Sequence, residues 1–163
     1  MRDALTFTVY GEAQPQGSAR AFIPKGWKRP VITTANPALK SWRQLVAEQA
    51  NVALERLPPS ERSLLLDGVR LSIAFYLPRP KSLPKKRTAH TRKPDIDKLV
   101  RGMCDALTPI LFRDDSQVCE LVTAKYYARE GDVPRVEIRV EATGGLEPVQ
   151  VPAPPMPLFE VGP

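Results

Sequence analysis

Five aspartates, Asp95, Asp97, Asp105, Asp114 and Asp115, fall within the stretch KPDIDKLVRGMCDALTPILFRDDSQV, residues 93–118. Carboxylates at this density suit a hard divalent cation. Mg²⁺ takes oxygen ligands, usually a few carboxylates completed by water and substrate phosphate. The chemistry that calls for such a site is phosphodiester hydrolysis. An attacking water must be placed and charge growing on the phosphoryl oxygens must be neutralised, often by two ions about 3.5–4 Å apart. Acids alone would repel a polyanion, and the flanking residues supply the counter-charge. Segment 79–93, RPKSLPKKRTAHTRK, has seven basic residues and no acid, and Lys98 and Arg101 stand inside the acidic stretch itself. A solvated helix with a capping acid is the simpler explanation, and it accounts for one aspartate. It leaves Asp95 and the Asp114–Asp115 pair unexplained.

The rest of the composition agrees with an anionic partner. Net charge is +6, with 24 Lys and Arg and a pI near 9.5, which favours nucleic acid. A second basic stretch, GSARAFIPKGWKRP (17–30), has four cations, no acid, and the aromatics Phe22 and Trp27. Candidate phosphate contacts are Arg20, Lys81, Lys85, Lys86, Arg87, Arg92, Lys93 and Lys98. His90 lies in the longer basic run, where it serves either as a general base or as a plain phosphate contact. Two cysteines, Cys104 and Cys119, make no disulfide framework. With His90 as the lone histidine they offer too few ligands for zinc. No apolar run approaches the length of a membrane span, and the N-terminus lacks the apolar core of a secretion signal, so a cytoplasmic protein is expected.

The elements that must position these residues follow from periodicity. LTFTVY (5–10) and VRLSIAFYL (69–77) alternate as strands. Between them a long loop runs to about Thr34, and Asn36-Pro37 starts a helix with Leu39, Trp42, Val46, Ala50 and Ala53 on one face. The basic run 79–93 reads as a mobile loop. Ile96, Leu99, Val100, Met103, Leu107 and Ile110 predict a helix over 96–108. At 100° per residue that helix carries Asp97, Arg101 and Asp105 along a polar ridge, while Asp97, near its start, is placed to cap, to hold a metal, or both. VCELVTAKYYA and VPRVEIRVEA predict a strand pair joined by REGD. The expected class is α+β: a small mixed sheet covered by two helices, in the order β-α-β-loop-α-β-β. Residues 1–143 form the domain and 144–163 a Pro-rich tail.

The blocks KPDIDKLVRGMCDAL and DDSQV resemble the RusA family of Holliday junction resolvases. In words, the family signature is Asp-x-Asp-Asn, a lysine three residues on, Asp-Ala-Leu on the same helix, then Asp-Asp-x-Gln-Val. Asp95 and Asp97 match the first pair, Asp105 the helix acid, and Asp114, Asp115, Gln117 and Val118 the last block. The likeness spans roughly residues 5–142 and implies a Mg²⁺-dependent crossover junction endodeoxyribonuclease, with Mn²⁺ able to substitute. It also implies a homodimer that cuts four-way DNA junctions by paired symmetric incisions in recombination and repair. Asp95, Asp97 and Asp115 are then the metal ligands, and Asp114 and Asp105 are further candidates. Asp105 is equally placed to pair with Arg101. Arg101 stands at the family's catalytic lysine and Lys98 at its asparagine. Arginine keeps the charge but not the point-like ammonium. The rivals are a non-catalytic DNA-binding module, in which Mg²⁺ is irrelevant, and a nuclease acting on other branched DNA. A restriction-type site is disfavoured because no Asp/Glu-x-Lys follows on the next strand.

Overall fold

The computed structural model describes residues 4–17, 19–34 and 36–144. Strand β1 (Leu5–Tyr10) buries Leu5, Phe7 and Val9, as its alternation requires. A hairpin follows, β2 (Ala19–Phe22) against β3 (Val31–Thr34), where the sequence pattern suggested only loop. Each arm has only four residues, too few to show a period, and Pro24, Gly26 and Pro30 between them read as loop punctuation.

Helix α1 (Ala38–Glu55) buries Leu39, Trp42, Val46, Ala50 and Ala53, the face expected of it. Asn36 Oδ1 accepts from the Ala38 N–H at 3.1 Å and so satisfies one orphan donor at the helix start. Strand β4 (Val69–Leu77) is the spine of the core: Val69, Leu71, Ile73, Phe75 and Leu77 are all 2% exposed or less. Each large side chain buried in this way is worth about 1.5–3 kcal/mol in transfer terms. Helix α2 (Ile96–Leu107) lays Leu99, Val100, Met103 and Leu107 on the same core, and β5 (Val118–Tyr127) and β6 (Arg135–Ala142) complete the sheet.

The main sheet runs β1-β6-β4-β5. β4 is antiparallel to β6 and parallel to β5, and the β4–β5 crossover contains both the basic segment and α2. The α+β class and the two covering helices are therefore as expected. The strand pairing differs: β5 and β6 do not pair with each other, because β4 lies between them. A strand apolar on one whole face gains most in the middle, with ladder partners on both sides. β5, which carries Glu120 and Lys125, takes the edge. The face away from the helices is polar, laced by Arg70–Glu120, Arg135–Glu137 and Arg139–Glu141 pairs.

The basic segment is more tightly held than its composition suggests. Ala89 bridges to Tyr126, the Tyr127 N–H donates to Thr88 O at 2.8 Å, and the His90 N–H donates to Lys125 O at 3.1 Å. Arg79 braces it from inside, donating to Ala128 O (2.9 Å), Arg87 O (2.6 Å) and Pro84 O (3.3 Å). Of the expected tail, residues 145–163 lie outside the described residues. No described helix is long and apolar enough to cross a membrane.

Candidate functional site

The head of α2 carries the first two acids. Asp95 is the N-cap residue by backbone conformation, yet its carboxylate caps no N–H. It pairs instead with Lys98 Nζ at 3.0 Å. That hydrogen bond, and the ammonium charge behind it, hold the Asp95 carboxyl below its ordinary value. Asp97 sits in the first helical turn, exposed, and Arg101 lies one turn further on the same side.

The last acid arrives on the short 3₁₀ turn Asp115–Gln117. Asp114 Oδ1 accepts from the Ser116 N–H at 2.9 Å, and the Ser116 side chain first, then this N–H, hold the Asp114 carboxyl below its ordinary value. Gln117 Oε1 accepts from the Arg113 and Asp114 N–H groups, and its Nε2 donates to Leu65 O and Asp67 O. Asp114 and Gln117 thus fold and anchor the turn, and Asp115 is left presented. The Asp-Asp-x-Gln pattern divides its labour in this way.

Asp97, Arg101 and Asp115 line one hollow of about 410 Å³. Its inner wall is Ile96, Val100 and Cys104 from α2, with Leu121 and Thr123 from β5. Among the described residues Asp97, Arg101 and Asp115 make no ion pair. Burial, with Asp115 and Asp105 nearby, pushes the Cys104 thiol up to about 11, so it stays a neutral wall group. Thr123 Oγ1 is buried in the structure without a hydrogen-bond partner. Asp95 opens instead onto a neighbouring hollow with Lys93, Lys98, Gln16 and Asn36. Among the described residues no three Asp, Glu, His or Cys side chains stand close enough to hold one metal ion.

Asp105 pairs with Arg43 of α1, which also reaches Gln16, and not with Arg101, and it does not line the hollow of Asp97 and Asp115. Each four residues of a 3.6-residue helix drift about 40° around its axis, so Asp105 lies about 80° round from Asp97, on the flank where Arg43 of α1 takes it. His90 packs its ring on Tyr127, 4.3 Å between centroids, and its Nδ1 lies 3.1 Å from Arg92 O. Burial, and then the Lys125 charge, lower its pKa. It lines no part of the acidic hollow.

Lys81, Lys85, Lys86, Arg87, Arg92 and Lys93 are all exposed. Lys85 meets Glu130 at 2.7 Å, but both are so exposed that the pair contributes little. Arg20 is placed on β2, its side chain lying outside the described residues. Lys125 is the residue that sequence reasoning missed. From β5 its Nζ donates to Arg92 O at 2.8 Å and Pro94 O at 2.7 Å, holding the segment that delivers Asp95 and Asp97. Strand alternation places Leu121, Thr123 and Lys125 on one side of β5. That alternation was the available signal.

Beside a mixed sheet the described residues set unpaired carboxylates and a cation around one hollow, chemistry that suits a metal ion and an anionic substrate. The family described as Endodeoxyribonuclease RusA matches residues 12–141. A Bacillus subtilis (strain 168) protein, YqaN, is 36% identical over 149 residues, covering 85% of this chain and 96% of its own length. The chain belongs to the RusA family of endodeoxyribonucleases.

Proposed function

We propose that this chain resolves four-way DNA junctions by divalent-metal-dependent phosphodiester hydrolysis, as a homodimer making two symmetric cuts in recombination and repair. The observation that carries this reading is the hollow where Asp97 and Asp115 stand unpaired beside Arg101. Two such carboxylates fit Mg²⁺, which keeps several waters and completes its shell with substrate phosphate. Mg²⁺, or Mn²⁺ in its place, would supply charge neutralisation at the phosphoryl oxygens and activation of water. Asp97 and Asp115 would hold it, and Arg101 would face the anionic phosphoryl group. Lys98 is half exposed and paired with Asp95. Asp95 would join them as a third carboxylate only if DNA phosphate drew Lys98 away and its side chain turned from the neighbouring hollow. Lys81, Lys85, Lys86, Arg87, Arg92, Lys93 and Arg20 contact the backbone of the duplex arms. A two-fold junction needs two equivalent sites, and a symmetric dimer provides them.

The test uses a synthetic four-way junction and a linear duplex of the same sequence, each with Mg²⁺ and with chelator. Paired nicks in the junction alone, abolished by chelator, are expected. Cleavage that persists in chelator, or binding without cleavage under both conditions, would refute the reading. Light scattering should give about 36 kDa, twice the 18.1 kDa chain. Symmetric nicking by an 18.1 kDa species would sink the dimer.

A further inference from the structure

The β2–β3 hairpin is a two-stranded sheet of its own, with no ladder to the main sheet. Its connecting segment exposes two large apolar side chains, Ile23 and Trp27, each 63% accessible. The turn that carries Trp27 is closed by its own N–H donating to Pro24 O at 3.0 Å, and Gly26 supplies the positive φ of +89° the turn needs. Lys25, Lys28 and Arg29 flank Trp27 along the chain, exposed and without an ion pair among the described residues. No acid lies between residues 17 and 30.

The root of the hairpin is fixed beside the acids. The Gln16 N–H donates to Lys98 O at 2.9 Å, and Asn36 Nδ2 donates to Pro15 O at 3.0 Å. Gly17 and Asn36, which bracket the hairpin, line the hollow that holds Lys93, Asp95 and Lys98. Four-residue arms at 3.4 Å per residue lift the tip about 13 Å from that root. An exposed indole with cations on either side of it in the chain, on a stalk of fixed reach, matches a ligand with a flat aromatic face and anionic edges.

We propose that the hairpin is a branch-point probe, with Trp27 stacked on a base face exposed where duplex arms meet and Lys25, Lys28 and Arg29 on the flanking phosphates. The inference rests on the junction-cleaving reading above for its DNA ligand. Inside a linear duplex every base is covered on both faces. At a branch point a face becomes available, and an aromatic side chain stacks on any base there without regard to sequence. The hairpin selects structure, and the cations supply affinity that is blind to it.

The experiment is equilibrium binding by the full chain in chelator, to a four-way junction and to linear duplex, at equal concentrations of duplex ends. Trp27→Ala should weaken junction binding about tenfold, the order of one stacking interaction, and leave duplex binding within twofold. Trp27→Phe should restore most of the affinity. A Trp42→Phe variant leaves Trp27 as the single tryptophan, and its fluorescence should be quenched by junction far more than by duplex. If the wild type prefers junctions and Trp27→Ala keeps that preference in full, the probe is wrong and the nuclease reading stands. If the wild type binds both DNAs alike, the inference falls together with the reading beneath it.

Discussion

Lys125→Met is the perturbation that tests the site's internal mechanics, because it removes an ammonium and leaves the apolar stem. Lys125 Nζ holds two carbonyls, Arg92 O at 2.8 Å and Pro94 O at 2.7 Å, on either side of Lys93 and directly ahead of Asp95. A hydrogen bond to a charged group contributes about 1.5–3 kcal/mol. Here the lysine and its acceptors are partly exposed, so water takes over some of each bond, and about 2 kcal/mol for the pair is a fair figure. At about 1.4 kcal/mol per decade, the loss corresponds to a roughly 30-fold fall in kcat/KM if the whole of it appears at the reacting phosphate. Asp97 is displaced with the turn that carries it, so the concentration of Mg²⁺ giving half-maximal rate should rise, while junction affinity in chelator should change by less than threefold. Lys125→Arg keeps a cationic donor and should recover part of the rate. The assay is single-turnover junction cleavage across a Mg²⁺ titration, with melting temperature measured alongside. A Met variant within twofold of wild type at every Mg²⁺ concentration would refute the reasoning. So would a loss of rate explained wholly by a fall in melting temperature.

Other outcomes follow from the same geometry. Asp97→Asn and Asp115→Asn should each lower cleavage by at least a hundredfold while junction binding survives or tightens, because a carboxylate that repelled phosphate is gone; wild-type rates in a gel assay would remove them from the site. Replacing Lys85, Lys86 and Arg87 by Ala should flatten the log–log salt dependence of binding by about one unit for each phosphate no longer neutralised, as read by anisotropy from 50 to 200 mM salt. Asp114→Ala should lower the melting temperature at pH 7, where the Ser116 side chain and N–H stabilise the charged carboxylate. Since this carboxyl lies below its ordinary 3.8 in the fold, its contribution is complete above that pH and disappears as pH falls through the folded value. The difference between Asp114→Ala and wild type should therefore shrink as pH is lowered below 3.8, and a difference that stays constant down the whole acid series would refute the cap.

Where burial is one-sided and the element long, the amino-acid pattern carries the structure on its face. The five apolar positions of β4 and the five of α1 are those buried in the core, because a period sustained over many residues has one way to reach an apolar layer. The acidic hollow was legible in part, since Asp97 and Arg101 are one turn apart and Asp115 follows a motif whose Gln117 has its own structural task. Three features were not legible. The four-residue arms of the β2–β3 hairpin are too short to show alternation. The Asp105–Arg43 pair depends on how α1 crosses α2, which neither helix encodes alone. Lys125 acts on backbone carbonyls, groups every residue possesses, so no pairing of residue types betrays it.

The bracing of the basic segment has a consequence for how such a protein can vary. Arg79 secures the chain as it leaves β4, and the Thr88–His90 pairing with β5, together with Lys125, secures it before α2. The stretch 80–87 lies between these two posts, held to Arg79 at Pro84 and Arg87 and making no hydrogen bond or ion pair to the acids of the hollow. Lengthening such a span costs little, about 0.6 kcal/mol for each doubling. Insertions, deletions and new cationic patterns can accumulate there while the distance from Asp95 to the sheet stays unchanged. Grip on the DNA arms and the chemistry of the cut can diverge independently, and a designer could retune the first by splicing a single outer loop.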